Sequence, residues 1–433
     1  MFQFKLPCLI VTLVVTLFFP TLASAKWSLT PRIYVEGEYD DNIFLTETAE
    51  QDDFITTVSP GINLQYLDPT AEVSLDYEYQ RYWYYDFSEL DSDGHRARAL
   101  ARKDFWNWFG AGIRETLIIS EDPIELTGLE EFERPSIRRG RNRYTRNIVE
   151  PDATFRFGEN RSIRLGYRYN ILRNKAEDIA DQDGHAINGL LTFRFDIRNG
   201  LEVFYEYINQ HYKETIPPSP DEDFDGHDVR GIYTHYFNPK TSVFLEYEYF
   251  QRDFDTETTE SFDYKVHNPR LGFSRDLYEN ITLSADAGYS LRKAEGRKDE
   301  EAFSGRGNLS AEYKRLTLSL YGETGFAEDF TSAETLGFSE FWAAGCNGTY
   351  QPLERLWVAG FFYIGRDRFV DTDRRDRLWS ARGSVRYGLL RWLFLSFEYV
   401  HNERDSNIPF ESFRENRYLG RITVQYDIAE HFQ

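Results

Sequence analysis

Methionine, cysteine and long apolar runs are almost missing from this chain. Met1 is the only methionine, and the two cysteines are Cys8 and Cys346. Past the first 25 residues no stretch approaches 18 uninterrupted apolar residues, so no helix of the later chain is predicted to span a bilayer. Basic residues are the minority charge: 50 Lys and Arg stand against 72 Asp and Glu, a formal net charge of −22. A chain this acidic lacks the basic footprint that nucleic-acid binding needs.

The one apolar run is at the start. Lys5 supplies a positive flank, Leu6 to Phe19 are mostly apolar, and Ala23-Ser24-Ala25 has the small-x-small form of a signal-peptidase site. This reads as a signal peptide over residues 1–25, in preference to a transmembrane anchor, and leaves 26–433 as a single exported unit. Cys8 falls in the removed segment and far from the cleavage point, which argues against a lipid anchor. The exported part then keeps one cysteine, which can make neither an internal disulfide nor a Cys-x-x-Cys metal site.

Aromatic residues are plentiful at 17% of the chain. They fall in a repeated pattern: LDYEY (75–79), LGYRY (165–169), VFYEY (203–207), LEYEY (245–249) and LSFEY (395–399). Apolar and charged side chains alternate with period 2, the period of a strand whose successive residues point to opposite faces. The stretch from Ala71 to Trp83 puts Val73, Leu75, Tyr77 and Tyr79 on one face and Glu72, Ser74, Asp76 and Glu78 on the other. No long amphipathic helix is apparent. Connections are of two kinds. Short turns such as IRNG (197–200) and NPKT (238–241) carry the Pro, Asn and Gly that tight turns favour, whereas longer acidic stretches such as TIPPSPDEDFDG (215–226) separate the other strand pairs. Long strands joined alternately by short turns and long polar loops predict an all-β, transmembrane, antiparallel up-and-down barrel. About 20 strands (18–22) are expected, the first near 32–44 and the last near 415–428, with both ends on the short-turn side.

The motif Asp-x-Asp-Gly-His occurs three times, ending at His95, His185 and His227. The parity of the flanking residues places these histidines on the lipid-facing side at the outer rim, where they cannot converge on an ion inside the barrel. The motif is read as strand-entry punctuation, with glycine supplying freedom to turn. DEDFDG (221–226) opens like an EF-hand loop but has Ile232 at the twelfth position, so no metal site is expected.

The opposite face carries the charge. Acids fall mainly on ascending strands, among them Asp76, Glu78, Glu202, Glu206, Glu246 and Glu248. Arginines fall mainly on descending ones, among them Arg96, Arg98, Arg382 and Arg386, with Arg164 and Arg168 as exceptions. These residues are the candidate lumen lining. The longest loop, Ser120 to Asn142, has an acidic arm with Glu130 and Glu131 and a basic arm with Arg138 and Arg139; it reads either as a solvated surface loop or as an inward constriction. No catalytic or cofactor-binding residue is expected: the eight histidines are scattered, and no Gly-x-Ser-x-Gly motif occurs.

Two stretches near the start, Tyr39-Asp40-Asp41-Asn42-Ile43-Phe44 and Val58-Ser59-Pro60-Gly61, resemble the opening of the β-barrel porin family of outer-membrane proteins, which includes members associated with exosortase-type exopolysaccharide systems. The resemblance implies an outer-membrane barrel and no assigned chemistry. A porin-like passive channel is therefore expected, with a component of exopolysaccharide export or surface assembly as the alternative. The partners to be expected are outer-membrane lipid and lipopolysaccharide, the barrel-assembly machinery, and small solutes or polysaccharide, with no nucleic acid. A plugged nutrient receptor is not expected, since only Lys26 to Pro31 precede the first strand read from the sequence. The proline of Val58-Ser59-Pro60-Gly61 has counterparts at Pro151 and Pro269, each read as a kink or bulge in a descending strand.

Overall fold

The computed structural model describes residues 26–125, 136–137, 141–177, 179–213, 223–256, 262–329 and 337–428. The proposed signal peptide lies outside them. Twenty long strands follow one another along the chain: β1 (Lys26–Asp40), β2 (Asp53–Leu67), β3 (Ala71–Tyr84), β4 (Ser92–Trp106), β5 (Phe109–Ser120), then, after two short loop strands β6 (Ile124–Glu125) and β7 (Ser136–Ile137), β8 (Tyr144–Gly158), β9 (Arg161–Asn174), β10 (Gln182–Arg194), β11 (Asn199–Tyr212), β12 (Phe224–Asn238), β13 (Thr241–Phe254), β14 (Tyr264–Tyr278), β15 (Ile281–Ala294), β16 (Glu300–Tyr313), β17 (Leu316–Asp329), β18 (Gly337–Leu353), β19 (Leu356–Phe369), β20 (Arg375–Gly388), β21 (Leu393–Ser406) and β22 (Phe413–Gln425). Each long strand pairs antiparallel with the next, and β1 also pairs with β22, from Arg32 opposite Gln425 to Asp40 opposite Arg417. The sheet is a closed 20-stranded barrel, as the sequence predicts.

Alternation divides the wall. On β1, Tyr34, Glu36, Glu38 and Asp40 are buried while Ile33, Val35 and Tyr39 are exposed. The same inversion runs through β13 and β14, where Leu245, Tyr247 and Leu271 are exposed and Glu246, Asn268 and Arg270 are buried. A soluble sandwich would bury its apolar face; here the apolar face is outside, as a barrel in lipid requires.

The first strand begins earlier than the sequence suggests. Pro31 reads as a boundary, yet Lys26 to Pro31 already pair with β2, and residues 41–44 belong to the following loop. Pro31 leaves a single gap in the seam: its carbonyl accepts from the Tyr426 amide, it has no N–H to return the bond, and beyond it the Ile428 amide donates to the Leu29 carbonyl. Pro60, Pro151 and Pro269 also differ from expectation. The ladder skips two positions beside each one, but the register is the same on both sides, as in His267 opposite Leu291 and then Arg270 opposite Gly288. They interrupt pairing without inserting a bulge. Register shifts occur instead next to the short turns, for example between Tyr236 and Asn238.

The wall folds sharply through β14–β16. Its inner face there is lined with small residues, Gly288, Ser290, Ala302 and Ser304. A Cβ added at Gly288 would overlap the Pro269 carbonyl oxygen, whereas one added at Gly231 would meet nothing within 4 Å. Gly288→Ala is expected to cost about 1–3 kcal/mol of stability by overpacking, and Gly231→Ala less than about 0.5 kcal/mol. Urea-induced unfolding of the refolded barrel checks the contrast; equal costs would show that the wall is not tight at Gly288.

Candidate functional site

Inside the barrel, the charged side chains meet one another. Asp76 accepts from Arg32 at 2.7 Å and from Asn63 at 3.0 Å, and Glu78 accepts from the same Arg32 and from the Tyr34 hydroxyl. Glu206 accepts from Arg168 at 2.9 Å. Glu246 is shared between Arg270 and Arg306, each at 2.6 Å, and Glu248 accepts from Arg270 at 3.1 Å. Arg382 reaches Glu398 at 3.2 Å, and Arg386 donates to the Gln425 side-chain oxygen with its guanidinium over the Phe394 ring. Arg98 stands opposite Asp76 across β3 and β4; Arg96, Arg98 and Glu202 are exposed on the same face.

Several pairs bridge more than neighbouring strands. Glu246 on β13 meets Arg306 on β16, and Arg252 on β13 meets Glu328 on β17 at 2.6 Å. Such contacts require the wall to bend in on itself, which the small residues of β14–β16 allow. Arg164 and Arg168, which break the ascending-acid pattern, each find an acid: Asp152 on β8 at 3.2 Å and Glu206 on β11. Sequence reasoning missed Arg32 and Arg417. Each bonds carboxylates that only closure or the strand after next brings near, so adjacent-strand patterning could not reveal them.

The loop between β5 and β8 enters the lumen. Ile124 and Ile137 pair in the short ladder β6–β7, and Ile137 is buried in a cluster with Leu45 of the β1–β2 loop and with Tyr363, Leu378 and Phe413 of β19, β20 and β22. Arg141 donates to the Ile43 carbonyl at 2.8 Å, to the Tyr84 hydroxyl at 3.0 Å and to Asp40 at 3.1 Å. Arg417 lies 3.5 Å from Asp122 and 2.6 Å from Glu38. Burial alone would raise the Asp122 carboxyl, but Arg417 and Arg141 outweigh it and hold the group below the usual aspartate range. Among the described residues, this loop is therefore inward and pinned. Glu130, Glu131, Arg138 and Arg139 lie outside the described residues. Beside the loop is a cavity of ≈ 540 Å³ whose lining includes Glu36, Arg96, Asp122, Arg141, Arg382 and Arg421.

The motif Tyr39 to Phe44 serves this arrangement. Asp40, Asn42 and Ile43 are fully buried. Asn42 donates to the carbonyls of Thr46 and Arg414, and Asp41 accepts from Asn416. Its polar residues thus tie the first long loop to β22 and present the Ile43 carbonyl to Arg141.

The three Asp-Gly-His motifs correct one expectation. Gly94, Gly184 and Gly226 lie within β4, β10 and β12, and none has a positive φ. They do not turn the chain. They leave room on the inner face: an added Cβ at Gly184 would meet the Gln210 side-chain oxygen at 2.5 Å, and one at Gly226 the Arg252 guanidinium at 2.9 Å. The histidines face outward and share hydrogen bonds through Nδ1 with hydroxyls of tyrosines on the preceding strand, Tyr77 with His95 at 3.0 Å, Tyr167 with His185 at 2.6 Å and Tyr205 with His227 at 3.0 Å. A fourth pair of the same form, Tyr247 to His267 at 2.8 Å, lacks the Asp-Gly signal. No group of three metal-ligating side chains occurs among the described residues.

The family described as "Putative beta-barrel porin 2" matches residues 202–426, just over half of the chain. The chain belongs to this family. By sequence, no curated protein matches it. Among solved structures it is similar in fold to the siderophore receptor PirA of Acinetobacter baumannii, at 9% identity with a TM-score of 0.54 over 94% of this chain and 81% of that one. It is also similar to PirA of Pseudomonas aeruginosa, at 10% identity with a TM-score of 0.53 over 92% and 80%. OccAB4 of Acinetobacter baumannii aligns over 92% of this chain and 98% of its own at 11% identity, with a TM-score of 0.44. At these identities the likeness concerns the barrel alone.

The Asp122 carboxylate should help hold the loop above the ordinary aspartate pKa, and its contribution should vanish as pH falls through its depressed value in the folded protein. Asp122→Asn is expected to mimic that loss at neutral pH. With Cys346→Ser as background and a reporter Ile137→Cys, thiol labelling should be slow with Asp122 present and several-fold faster in the Asn variant. Equal labelling rates would show that this ion pair does not pin the loop.

Proposed function

We propose that this porin-family barrel is a non-enzymatic, passive channel of the bacterial outer membrane, narrowed by the loop between β5 and β8. The observation that carries the reading is the inner wall. It is ionic and hydrogen-bonded, and a cavity of ≈ 540 Å³ lies beside an inward loop pinned to β1 and β22. Paired acids and arginines make such a wall wettable and locally near neutral, so it should discriminate weakly between ions. Asp76, Glu78, Arg96, Arg98, Glu202, Glu206, Glu246, Glu248, Arg382 and Arg386 are its lining residues in this reading. A 20-strand barrel is wider than the eight-strand barrels whose side chains fill the interior, which leaves the loop as the main obstruction. The excess negative charge lies largely in the long loops. It should concentrate cations at the mouth and be screened by salt over about 10 Å at 0.1 M.

Purified protein should be β-rich by circular dichroism and show heat-modifiable gel mobility; recovery as a soluble periplasmic protein would contradict the location. In planar bilayers the protein should conduct with modest cation selectivity that fades at high salt. Deleting Asp122–Gly140 should raise single-channel conductance. An unchanged conductance would remove the constriction from the reading, and no conductance in either form would remove the channel itself.

A further inference from the structure

The contacts that hold the loop between β5 and β8 contain more acid than base. Four carboxylates gather there: Glu38 and Asp40 on β1, Asp122 on the loop and Glu415 on β22. Two guanidiniums stand among them, and both are committed. Arg417 lies 2.6 Å from Glu38 and 3.5 Å from Asp122. Arg141 donates to Asp40, to the Ile43 carbonyl and to the Tyr84 hydroxyl. On β21, Arg404 is fixed on Glu411 at 2.8 Å, and Arg96 on β4 acts on Asp122 through its field.

Glu415 is the member left over. It is 1% exposed. Its Oε2 accepts from the Asn402 amide on β21 at 2.7 Å, whereas its Oε1 is sealed from solvent and has no partner among the described residues. Asp40 and Asp122 add to the negative field at Glu415, and Arg417 is the cation that opposes it. An ionised carboxylate with a buried, unbonded oxygen is costly enough that such a group neutralises instead. A metal ion could also compensate the charge, but no three ligating side chains converge among the described residues. A proton needs only the one oxygen.

The position suits exchange with the outer medium. Tyr39, Tyr418 and Tyr399 face one another on the outward side of β1, β22 and β21. Amphipathic rings of this kind favour the level of the lipid headgroups. Glu415 is three residues beyond Tyr418 on the loop side, where the outward Arg414 and Glu403 also pair at 3.2 Å. Two neighbours on its own face tie it to the loop. Arg417 is shared with Asp122, and Phe413 packs in one cluster with Leu45 and the loop residue Ile137.

We propose that Glu415 is a proton-operated catch: with its carboxyl protonated the loop between β5 and β8 is held inward, and ionisation of the carboxyl releases it. The proton passes to and from water at the outer mouth, and no other reactant takes part. The new charge competes with Asp122 for Arg417 and draws water to the Phe413–Ile137 contact. In the released state Glu415 meets water, so the closed state binds the proton more tightly. Closure is then complete, as far as this group is concerned, at low pH, and is lost as pH rises through ionisation of the buried form. Asp122 acts in the opposite sense, because its charge helps hold the loop. The loop is held best between the two ionisations. The proposal rests on the reading of this loop as the constriction of a channel.

Infrared spectra of the detergent-solubilised barrel test the proton. The difference between wild type and Glu415→Gln should show the carbonyl stretch of a protonated carboxyl at about pH 6 and lose it at about pH 10, since buried glutamates ionise as late as about pH 8–9. No such band at the lower pH overturns the proposal. Thiol labelling of Ile137→Cys in the Cys346→Ser background tests the catch. Wild type and Glu415→Gln should label alike at the lower pH. At the higher pH the wild type should label about tenfold faster than Glu415→Gln, the change that one pH unit of differential ionisation supplies; the ratio cancels the ionisation of the thiol itself. Equal rates at both pH values overturn the catch. If Glu415→Gln does not fold, the loss of the band in the wild type alone, with labelling measured against an unstructured peptide thiol, decides the matter. Conductance separates this proposal from the channel: a barrel that labels with the expected pH dependence but does not conduct overturns the channel alone, and a conducting barrel whose loop labels without it overturns the catch alone.

Discussion

In hydrocarbon an unpaired backbone N–H or C=O costs several kcal/mol, and a sheet with two free edges would expose a whole row of them. Pairing of β1 with β22 removes both edges at once, and everything else in the wall is subordinate to that closure. The seam carries charge as well as backbone bonds: Arg421 donates to Glu36 and Arg417 to Glu38 across it, at 2.7 and 2.6 Å. Facing pairs of opposite sign contribute roughly 0.2–1 kcal/mol each. They specify register more than strength, because a slip of one residue would turn the charged set toward lipid. Pro31 costs the seam one backbone bond, and the Ile428 amide resumes the pairing at the Leu29 carbonyl.

Closure also decides what the loop between β5 and β8 can touch. Once β22 lies beside β1, Arg417 comes within reach of both Glu38 and Asp122, and the buried Asp40–Ile43 corner offers Arg141 a carboxylate and a carbonyl. Ile137 then packs on Leu45, Tyr363, Leu378 and Phe413, which come from four separate stretches of chain. The narrowing of the lumen is thus a consequence of the seam. A wall bent through β14–β16 adds to it, since Glu246 can bond Arg306 only if three strand spacings are folded into a short chord.

The two faces answer to different solvents. Inside, acids and arginines on most strands pair with one another, while β18 presents Ala343, Asn347 and Thr349 to the same face. Outside, the tyrosine–histidine row satisfies polar groups at the level where the apolar wall ends, and the compensated charges lie above it.

Period-2 patterning, short turns and long acidic loops were sufficient to read the barrel, its strand number and the side on which Asp76, Glu246 and Arg382 stand, because strand period and turn chemistry are local properties of the chain. The outward parity of His95, His185 and His227 was legible for the same reason. What the glycines beside them do was not. Gly94, Gly184 and Gly226 look like turn residues until the neighbouring strand supplies Gln80, Gln210 and Arg252 to fill the space a Cβ would take. The pairing of Arg32 with Asp76, the inward course of the loop and its hold on Asp40 and Arg417 depend on residues 44, 101 and 295 positions apart. No local rule brings such residues together; only closing the barrel and bending its wall did.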